Sequence, residues 1–307
     1  MIADISGYAH PLYAEALAAY GTPRRLPRCE GTILIRPIPS SSSSDAMGCY
    51  PIFACQDWRE LAADLSSLPA PLVSLVLVAD PFGNHSPDLL RACFPDCLIP
   101  FKSHFVIDLS RTWPDYVASH HQRNARKALA AVQVEHSEAP LAWLEEWTAL
   151  YACLIERHAI RGLTTFSPDS FARQLAVPGI HAFRARAGGR TVGMTLWYVQ
   201  NGVGYYHLAA YTTQGYALRA SFALFWQAIP FFQARPGLRW LSLGAGAGLR
   251  GDTEDGLTRF KRGWSTGARP AYLCGRIFDP DAYRQLTAAR GLSPQAPFFP
   301  AYRLGEW

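Results

Sequence analysis

Residues 181–211 read HAFRARAGGRTVGMTLWYVQNGVGYYHLAAY, and this stretch carries the clearest structural signal in the chain. Gly188-Gly189 and Asn201-Gly202 are dipeptides that favour tight hairpin turns, and runs of strand-forming residues lie on both sides of each. The pattern predicts an antiparallel meander of three strands: His181–Arg186, Thr191–Gln200 and Val203–Tyr211.

The sequence after the meander predicts a loop, a long helix and a fourth strand. The loop covers Thr212–Ala217, and Leu218, Phe222, Trp226 and Ile229 then form an apolar stripe at helical spacing. The segment Arg239–Leu243 is strand-like, and we expect it to lie beside the third strand of the meander.

The sequence before the meander predicts two helices with a strand between them. Trp113–Ala131 is a basic helix, Val132–Glu135 a strand, and Pro140–His158 an amphipathic helix. Earlier still, apolar runs and one stretch of helical spacing indicate a mixed α/β lobe. Its predicted strands are Thr32–Ile38, Leu72–Val78 and His104–Leu109, and its helical stretch is Trp58–Leu65.

Composition narrows the functional classes. The chain has 307 residues, 49% of them apolar, which is enough for two similar lobes. A net charge of +5 is too small to mark a dedicated nucleic-acid binder. We find no secretory signal and no apolar run long enough for a membrane span, so we expect a cytoplasmic protein. Seven irregularly spaced cysteines indicate reduced thiols. Cys93 and Cys97, with His85 and His104, make a poor zinc pattern, and we expect no metal.

Three motifs add a resemblance to this pattern. Residues His121–Glu135 form a charged helix leading into a strand, Leu241–Gly246 a strand ending in a glycine-rich turn, and Gly256–Trp264 reads GLTRFKRGW. In this order, around a meander and a long helix, they resemble the GNAT superfamily and its FemAB-like N-acyltransferases. The resemblance implies a mixed α/β sheet flanked by helices, in two tandem GNAT-like lobes. These would be a degenerate lobe over residues 1–112 and an acyltransferase lobe over residues 113–307.

The resemblance also implies a place for the acyl donor. In GNAT folds the donor's thiol arm enters the gap between the strands on either side of the long helix, and its phosphates face the start of that helix. Residues Gln214, Gly215, Arg219 and Ser221 occupy that loop here. The loop lacks the two properly spaced glycines of coenzyme A enzymes, so an ordinary loop and helix cap remains an alternative.

Candidate catalytic residues follow from the needs of acyl transfer to an amine. His207, in the third strand, is a candidate base, or else a hydrogen-bonded core residue. Tyr206 faces the opposite side of that strand and is assigned to the substrate site. Lys261 is a candidate donor to the oxyanion, or else a solvated lysine. Asp252, Glu254 or Asp255 could receive the proton of the amine, although loop solubility explains them equally well.

Arg123, Arg126 and Lys127 share one face of the basic helix, where they either bind an anionic substrate or form a solvated surface. The leading prediction is therefore an N-acyltransferase that moves an acyl group from acyl-coenzyme A or acyl carrier protein to a small-molecule amine. The alternatives are aminoacyl transfer from aminoacyl-tRNA and a non-catalytic ligand-binding protein on the same fold.

Overall fold

The computed structural model describes residues 5–68, 71–160, 162–246, 255–293 and 296–306. The described strands, in chain order, are β1 (Thr22–Leu26), β2 (Gly31–Pro37), β3 (Ser44–Gly48), β4 (Leu72–Val78), β5 (Cys97–Asp108), β6 (Gln133–Ser137), β7 (Ile180–Ala187), β8 (Arg190–Gln200), β9 (Val203–Tyr211), β10 (Trp240–Gly244) and β11 (Gly267–Ile277). The helices are α1 (Pro11–Ala16), α2 (Leu61–Ser66), α3 (Pro87–Cys93), α4 (Ser119–Leu129), α5 (Leu144–His158), α6 (Pro168–Gln174), α7 (Thr213–Ala217), α8 (Ala220–Gln233), α9 (Gly256–Arg262) and α10 (Pro280–Ala289).

The chain divides into two compact units. The central unit contains residues 1–7 and 102–269, and the flanking unit contains residues 8–101 and 270–307. Both units are mixed α/β, as predicted, with helices packed on a mixed sheet. The boundary between these units does not lie at residue 112. In addition, the C-terminal 38 residues belong to the flanking unit. The division into lobes 1–112 and 113–307 stays a prediction.

The flanking unit has its own buried core. Its strands are ordered β1-β2-β3-β4-β11, with β3 and β4 parallel and the other neighbours antiparallel. A buried cluster that includes Ile33, Leu75 and Phe94 fills one region of it. Asp45 is fully buried and accepts hydrogen bonds from Arg36 and Arg303 at 3.2 and 2.7 Å. Buried charge in this unit is therefore paired, as its low-polarity surroundings require.

The central unit contains the predicted meander. Strands β7, β8 and β9 are antiparallel neighbours, and β10 lies parallel to β9. Positive φ angles at Gly188, Gly189, Asn201 and Gly202 form the two tight turns that the dipeptides predict. The sheet continues from β10 to β5 on one side and from β7 to β6 on the other.

Helices cover both faces of this sheet. α8 packs on one face with α4 beside it, and their buried residues form one core with Trp197, Phe225 and Trp264. α5 and α6 pack together, and α5 contacts β8 and β9. Because residues alternate along β9, each side chain of that strand packs towards the helices on one face of the sheet or towards those on the other.

The predicted basic helix is shorter than expected. It begins at Ser119, although the sequence favoured a start at Trp113. Residues before Ala118 form turns instead, and the side-chain amide of Gln122 donates hydrogen bonds to the carbonyls of Pro114 and Val117. Pro114 disfavours a helical conformation of the residue before it, which explains the later start. The amphipathic helix also begins later, with a 3₁₀ turn over Pro140–Trp143 before α5.

Candidate active site

The strands β9 and β10 separate after a short parallel pairing. Cα partners join Val203–Tyr205 to Trp240–Ser242, whereas β9 continues to Tyr211. β10 is irregular between Ser242 and Gly244 in its other pairing, with β5, and it ends at Gly244, whose φ is +71°. An opening therefore forms between the ends of two neighbouring parallel strands, with their backbone groups along its edges.

Lys261 reaches this opening from α9. Asp255 caps that helix by accepting a hydrogen bond from the Thr258 amide at 2.8 Å, and the fully buried Trp264 anchors the segment just beyond its end. The Lys261 side chain is buried, with 6% of the residue exposed, and its Nζ donates to the Ala245 carbonyl at 2.6 Å. The same Nζ lies 5.6 Å from the centre of the Tyr206 ring. The Gly256–Trp264 motif thus delivers an amine to the point where the strands part.

Burial makes this amine unusually acidic. Burial, and to a smaller extent the charge of Lys102, lowers the pKa of Lys261 from 10.5 to about 7, while Asp255 acts in the opposite direction. A lysine in this state exchanges protons near neutral pH and responds strongly to a nearby negative charge. The site can therefore place either an ammonium or a neutral amine beside a reacting carbonyl.

His104 is a neighbour that the sequence did not reveal as a site residue. It lies on β5, is nearly buried, and its Nδ1 is 3.4 Å from the Ser242 hydroxyl on β10. Burial lowers the pKa of His104 to about 3, and the charges of Lys261 and Lys102 add to this effect. The neutral ring therefore lines the site without adding charge. No local sequence pattern marks His104 as a site residue, because the antiparallel pairing of β5 with β10 joins segments about 140 residues apart.

Tyr206 and His207 lie on opposite faces of the sheet. The Tyr206 ring contacts Trp197 and Phe225 on the α8 side, where Lys261 also lies. His207 instead bonds through Nε2 with Gln174 of α6 at 2.9 Å. Burial lowers the pKa of His207 to about 3, so its ring is neutral at physiological pH. The structure does not bring the two predicted catalytic residues together, and the base role of His207 stays a prediction.

The predicted donor loop lies at the start of α8. Gly215 sits so close to β8 that a Cβ there would be 2.0 Å from the Val192 carbonyl oxygen, which explains the glycine. Gln214 and Arg219 are exposed, and Ser221 is half-buried. Arg219 is the N-cap of α8 with φ +57°. These four residues are gathered where the helix dipole favours an anion. Among the predicted proton acceptors, Asp255 is the cap of α9, and Asp252 and Glu254 lie outside the described residues.

The three basic residues of α4 are exposed on one face of that helix: Arg123, Arg126 and Lys127. His121, on the buried face, holds α4 against the Lys261 motif, because its Nε2 lies 2.9 Å from the Phe260 carbonyl oxygen. Its ring also packs on Phe222 and Trp264. The basic surface and the motif that carries Lys261 are therefore on neighbouring helices.

Two further features bear on the sequence predictions. His85 bonds to the backbone of Asp80, and Cys93 is buried in the core of the flanking unit. Within the described ranges, three potential metal ligands come together at His136, Glu138 and His181. Among the residues that the structure describes, no helix is long and apolar enough to cross a bilayer.

Comparisons with known proteins agree with this geometry. Residues 118–262 match the profile of a family described as "Acetyltransferase (GNAT) domain". The fold is similar to the crystal structure of FemX, with a TM-score of 0.65 and 12% identity over 89% of this chain and 92% of FemX. It is similar to the C-terminal domain of a putative lysylphosphatidylglycerol synthetase from Agrobacterium fabrum, with a TM-score of 0.57 and 16% identity over 88% of each chain.

A third similar structure is L-PGS from Bacillus licheniformis, with a TM-score of 0.54 and 12% identity over 94% of this chain and 98% of that one. No curated protein matches the sequence. Residues 118–262 thus form a GNAT acetyltransferase domain, the fold is similar to that of FemX, and the chain is an acyltransferase.

Proposed function

We propose that this protein transfers an acyl group to an amine, with the reacting carbonyl in the opening between β9 and β10 and Lys261 beside it. The observation that carries the proposal is the Lys261 ammonium group, buried next to Tyr206 and bonded to Ala245 at that opening. Attack by an amine turns the carbonyl oxygen into an oxyanion, and a fixed cation stabilises that oxyanion more than the neutral carbonyl. Because a developing negative charge favours the protonated amine, Lys261 is an ammonium in the transition state.

The first donor class is a thioester, either acyl-coenzyme A or acyl carrier protein. Its phosphate end would lie on the donor loop, where Gln214, Arg219 and Ser221 surround the start of α8 and Gly215 allows close approach to β8. A helix start favours phosphate through its unpaired N–H groups and dipole, and Arg219 adds a planar cation. The acyl arm would then extend along the gap towards Lys261.

Aminoacyl-tRNA is the second donor class. It is favoured by the exposed cations Arg123, Arg126 and Lys127 on α4, the helix that contacts the Lys261 motif. The similar solved structures include FemX and lysylphosphatidylglycerol synthetase domains. The latter are named for the synthesis of lysylphosphatidylglycerol, and this supports an aminoacyl donor here. A long polyanion gains affinity from such a surface through counterion release.

The acceptor class in this proposal is a small-molecule amine, and the compartment is the cytoplasm. Seven free cysteines, most of them buried, fit a reducing compartment. His207 would act as base only for an acceptor that reaches the α5–α6 face, since its ring points there. On the Lys261 side, the amine must arrive neutral or release its proton to solvent.

Donor choice can be tested by incubating the protein separately with acetyl-coenzyme A, acyl carrier protein loaded with an acyl chain, and lysyl-tRNA. A donor that binds the folded state raises the melting temperature, and single-turnover transfer to a panel of amines then measures chemistry. Binding of one donor with transfer supports the proposal. Binding without any transfer would instead indicate a ligand-binding protein on this fold.

A triple variant of α4 separates the two donors. Replacing Arg123, Arg126 and Lys127 by Ala removes the exposed cations without touching the buried face of the helix. We expect it to weaken lysyl-tRNA binding by about tenfold or more at low salt and to flatten its salt dependence. Acetyl-coenzyme A binding should remain unchanged. Equal tRNA affinity in the variant would remove the support for the tRNA donor.

A further inference from the structure

The strands β6 and β7 bring three potential metal ligands to one face of the sheet. In their antiparallel register His136 is opposite Phe183, two residues from His181, and Glu138 follows directly after the end of β6. This pairing places the two histidines on a diagonal, with His136 Nε2 3.2 Å from His181 Nδ1. Glu138 Oε1 lies 3.9 Å from the same His181 nitrogen.

We propose that His136, Glu138 and His181 form a site for a divalent transition-metal ion, with Zn²⁺ as the best fit. One ligand atom from each of these residues lies within 4.8 Å of the other two, which is close enough to share one ion. Two zinc–nitrogen bonds of about 2.0–2.1 Å at a tetrahedral angle place their nitrogens about 3.3 Å apart. The observed separation of 3.2 Å is close to this value.

The chemistry of the donor set selects the ion. Two imidazoles and one carboxylate suit Zn²⁺, with Ni²⁺ and Co²⁺ as close analogues, and they do not suit Ca²⁺ or Mg²⁺, which prefer all-oxygen sites. The histidine rings are held nearly parallel, with an interplanar angle of 17°, and the His136 ring packs on Phe231. His181 is buried and Glu138 is exposed, so a fourth position is open to water on the Glu138 side.

Arg235 is the cation that competes with a metal at this site. It follows the end of α8, and its guanidinium donates to Glu138 Oε1 at 2.5 Å while packing against Phe231. Metal binding must displace this ion pair, which is partly exposed and therefore weakly held. Arg235 thus lowers the affinity of the site and provides a test of whether Glu138 is a ligand.

The site is remote from the proposed chemistry. It lies at the end of α8, whereas the donor loop lies at its beginning, and fourteen helical residues span about 21 Å. The metal would therefore tie β6 to β7 and stabilise the folded state without entering acyl transfer. No local pattern in the sequence marks this site, because 45 positions separate His136 from His181 and only strand pairing brings them together.

Zinc titration by calorimetry on chelator-treated protein tests this proposal, with Co²⁺ absorption reporting the ligand geometry. The background should carry Cys153→Ser, since Cys153 is an exposed thiol. We expect one Zn²⁺ per chain and a raised melting temperature. His136→Ala and His181→Ala should each weaken binding by about 100-fold or more, and Glu138→Gln by about tenfold. His158→Ala, at an exposed histidine of α5, is the matched control and should bind normally.

Arg235→Gln is the decisive variant, because it retains all three proposed ligand residues. It therefore tests the site even if a histidine variant does not fold. It should bind Zn²⁺ several-fold more tightly, since the competing cation is gone. Absence of stoichiometric Zn²⁺ binding to the parent protein would overturn the proposal. Unchanged affinity in His136→Ala would overturn it too, and so would unchanged or weaker affinity in Arg235→Gln.

Discussion

At the scale of single residues, Lys261 combines two properties that oppose each other. Its burial lowers the pKa to about 7, which means that the protonated form is disfavoured in the folded chain. The same burial strengthens its interaction with any negative charge that forms beside it. A residue of this kind is expected to lower stability while serving the reaction, which is the usual compromise at active sites.

The pH dependence of stability tests this description. Between pH 7 and 10 the unfolded chain holds the Lys261 proton and the folded chain does not, so the free energy of unfolding rises with pH. Below pH 7 the full cost remains. We expect Lys261→Met, which keeps the length but not the charge, to be more stable by roughly 2–5 kcal/mol at pH 7. The difference should shrink towards pH 10, as measured by urea unfolding. If the free energies of unfolding of Lys261→Met and of the parent protein change in parallel with pH, the depressed pKa of Lys261 is contradicted.

The sequence predicted Lys261 but not its surroundings. Lys261 lies within a local motif that can be recognised in the sequence, whereas His104 joins the site only through the pairing of β5 with β10. Likewise, alternation along β9 predicted that Tyr206 and His207 face opposite sides. It could not predict that Lys261 would lie on the Tyr206 side, because that depends on how α9 packs.

At the scale of elements, the meander and the helix after it were predictable because their signals are local. Gly188-Gly189 and Asn201-Gly202 encode their own turns, and the apolar residues at helical spacing predicted the helix α8. Of the predicted stripe, Ile229 is buried, Phe222 and Trp226 are half-buried, and Leu218 lies before the helix. The loop before α8 was harder. It folds into the short helix α7, capped by Thr212, before α8 begins at Ala220. Thr212 holds this loop against β8, because its backbone N–H and its hydroxyl donate to the Val192 carbonyl, and Gly215 permits the close approach.

Gly215→Ala should therefore disturb the donor loop. A Cβ would meet the Val192 carbonyl oxygen at 2.0 Å, and a backbone atom in a sheet cannot move aside easily. We expect a loss of about 1–3 kcal/mol in stability and weaker donor binding, measured by urea unfolding and by thermal shift with the active donor. Gly256→Ala is the matched control, since nothing lies within 4 Å of its added Cβ. Equal stability and equal donor binding in Gly215→Ala and Gly256→Ala would show that the contact with Val192 limits neither property.

At the scale of the whole molecule, the chain builds two units, each with its own buried core. The sequence predicted two lobes from length alone but could not predict that the C-terminal segment belongs with the N-terminal one. Strand β11 pairs with β4, almost 200 residues earlier, and no local pattern records such a partner. Arg303 likewise bonds Asp45 across most of the chain.

The buried charges of the flanking unit give a stability prediction. Asp45 is fully buried and accepts hydrogen bonds from Arg36, Arg303 and Tyr302. Asp45→Asn leaves two buried guanidinium groups without their carboxylate, which should cost about 3–5 kcal/mol in the free energy of unfolding. Asp281→Asn removes an exposed pair with Arg284 and should cost less than about 1 kcal/mol. Equal denaturation midpoints for the two variants would contradict the assigned role of Asp45.

The central claim, that Lys261 stabilises the oxyanion in the opening between β9 and β10, is tested most directly by single-turnover transfer with Lys261→Ala. Donor affinity is measured separately by calorimetry, and Arg259→Ala, at an exposed residue of the same helix, serves as the control. The account predicts a folded variant that binds donor normally and transfers about 100- to 1000-fold more slowly. Turnover close to that of the Arg259→Ala control would contradict it.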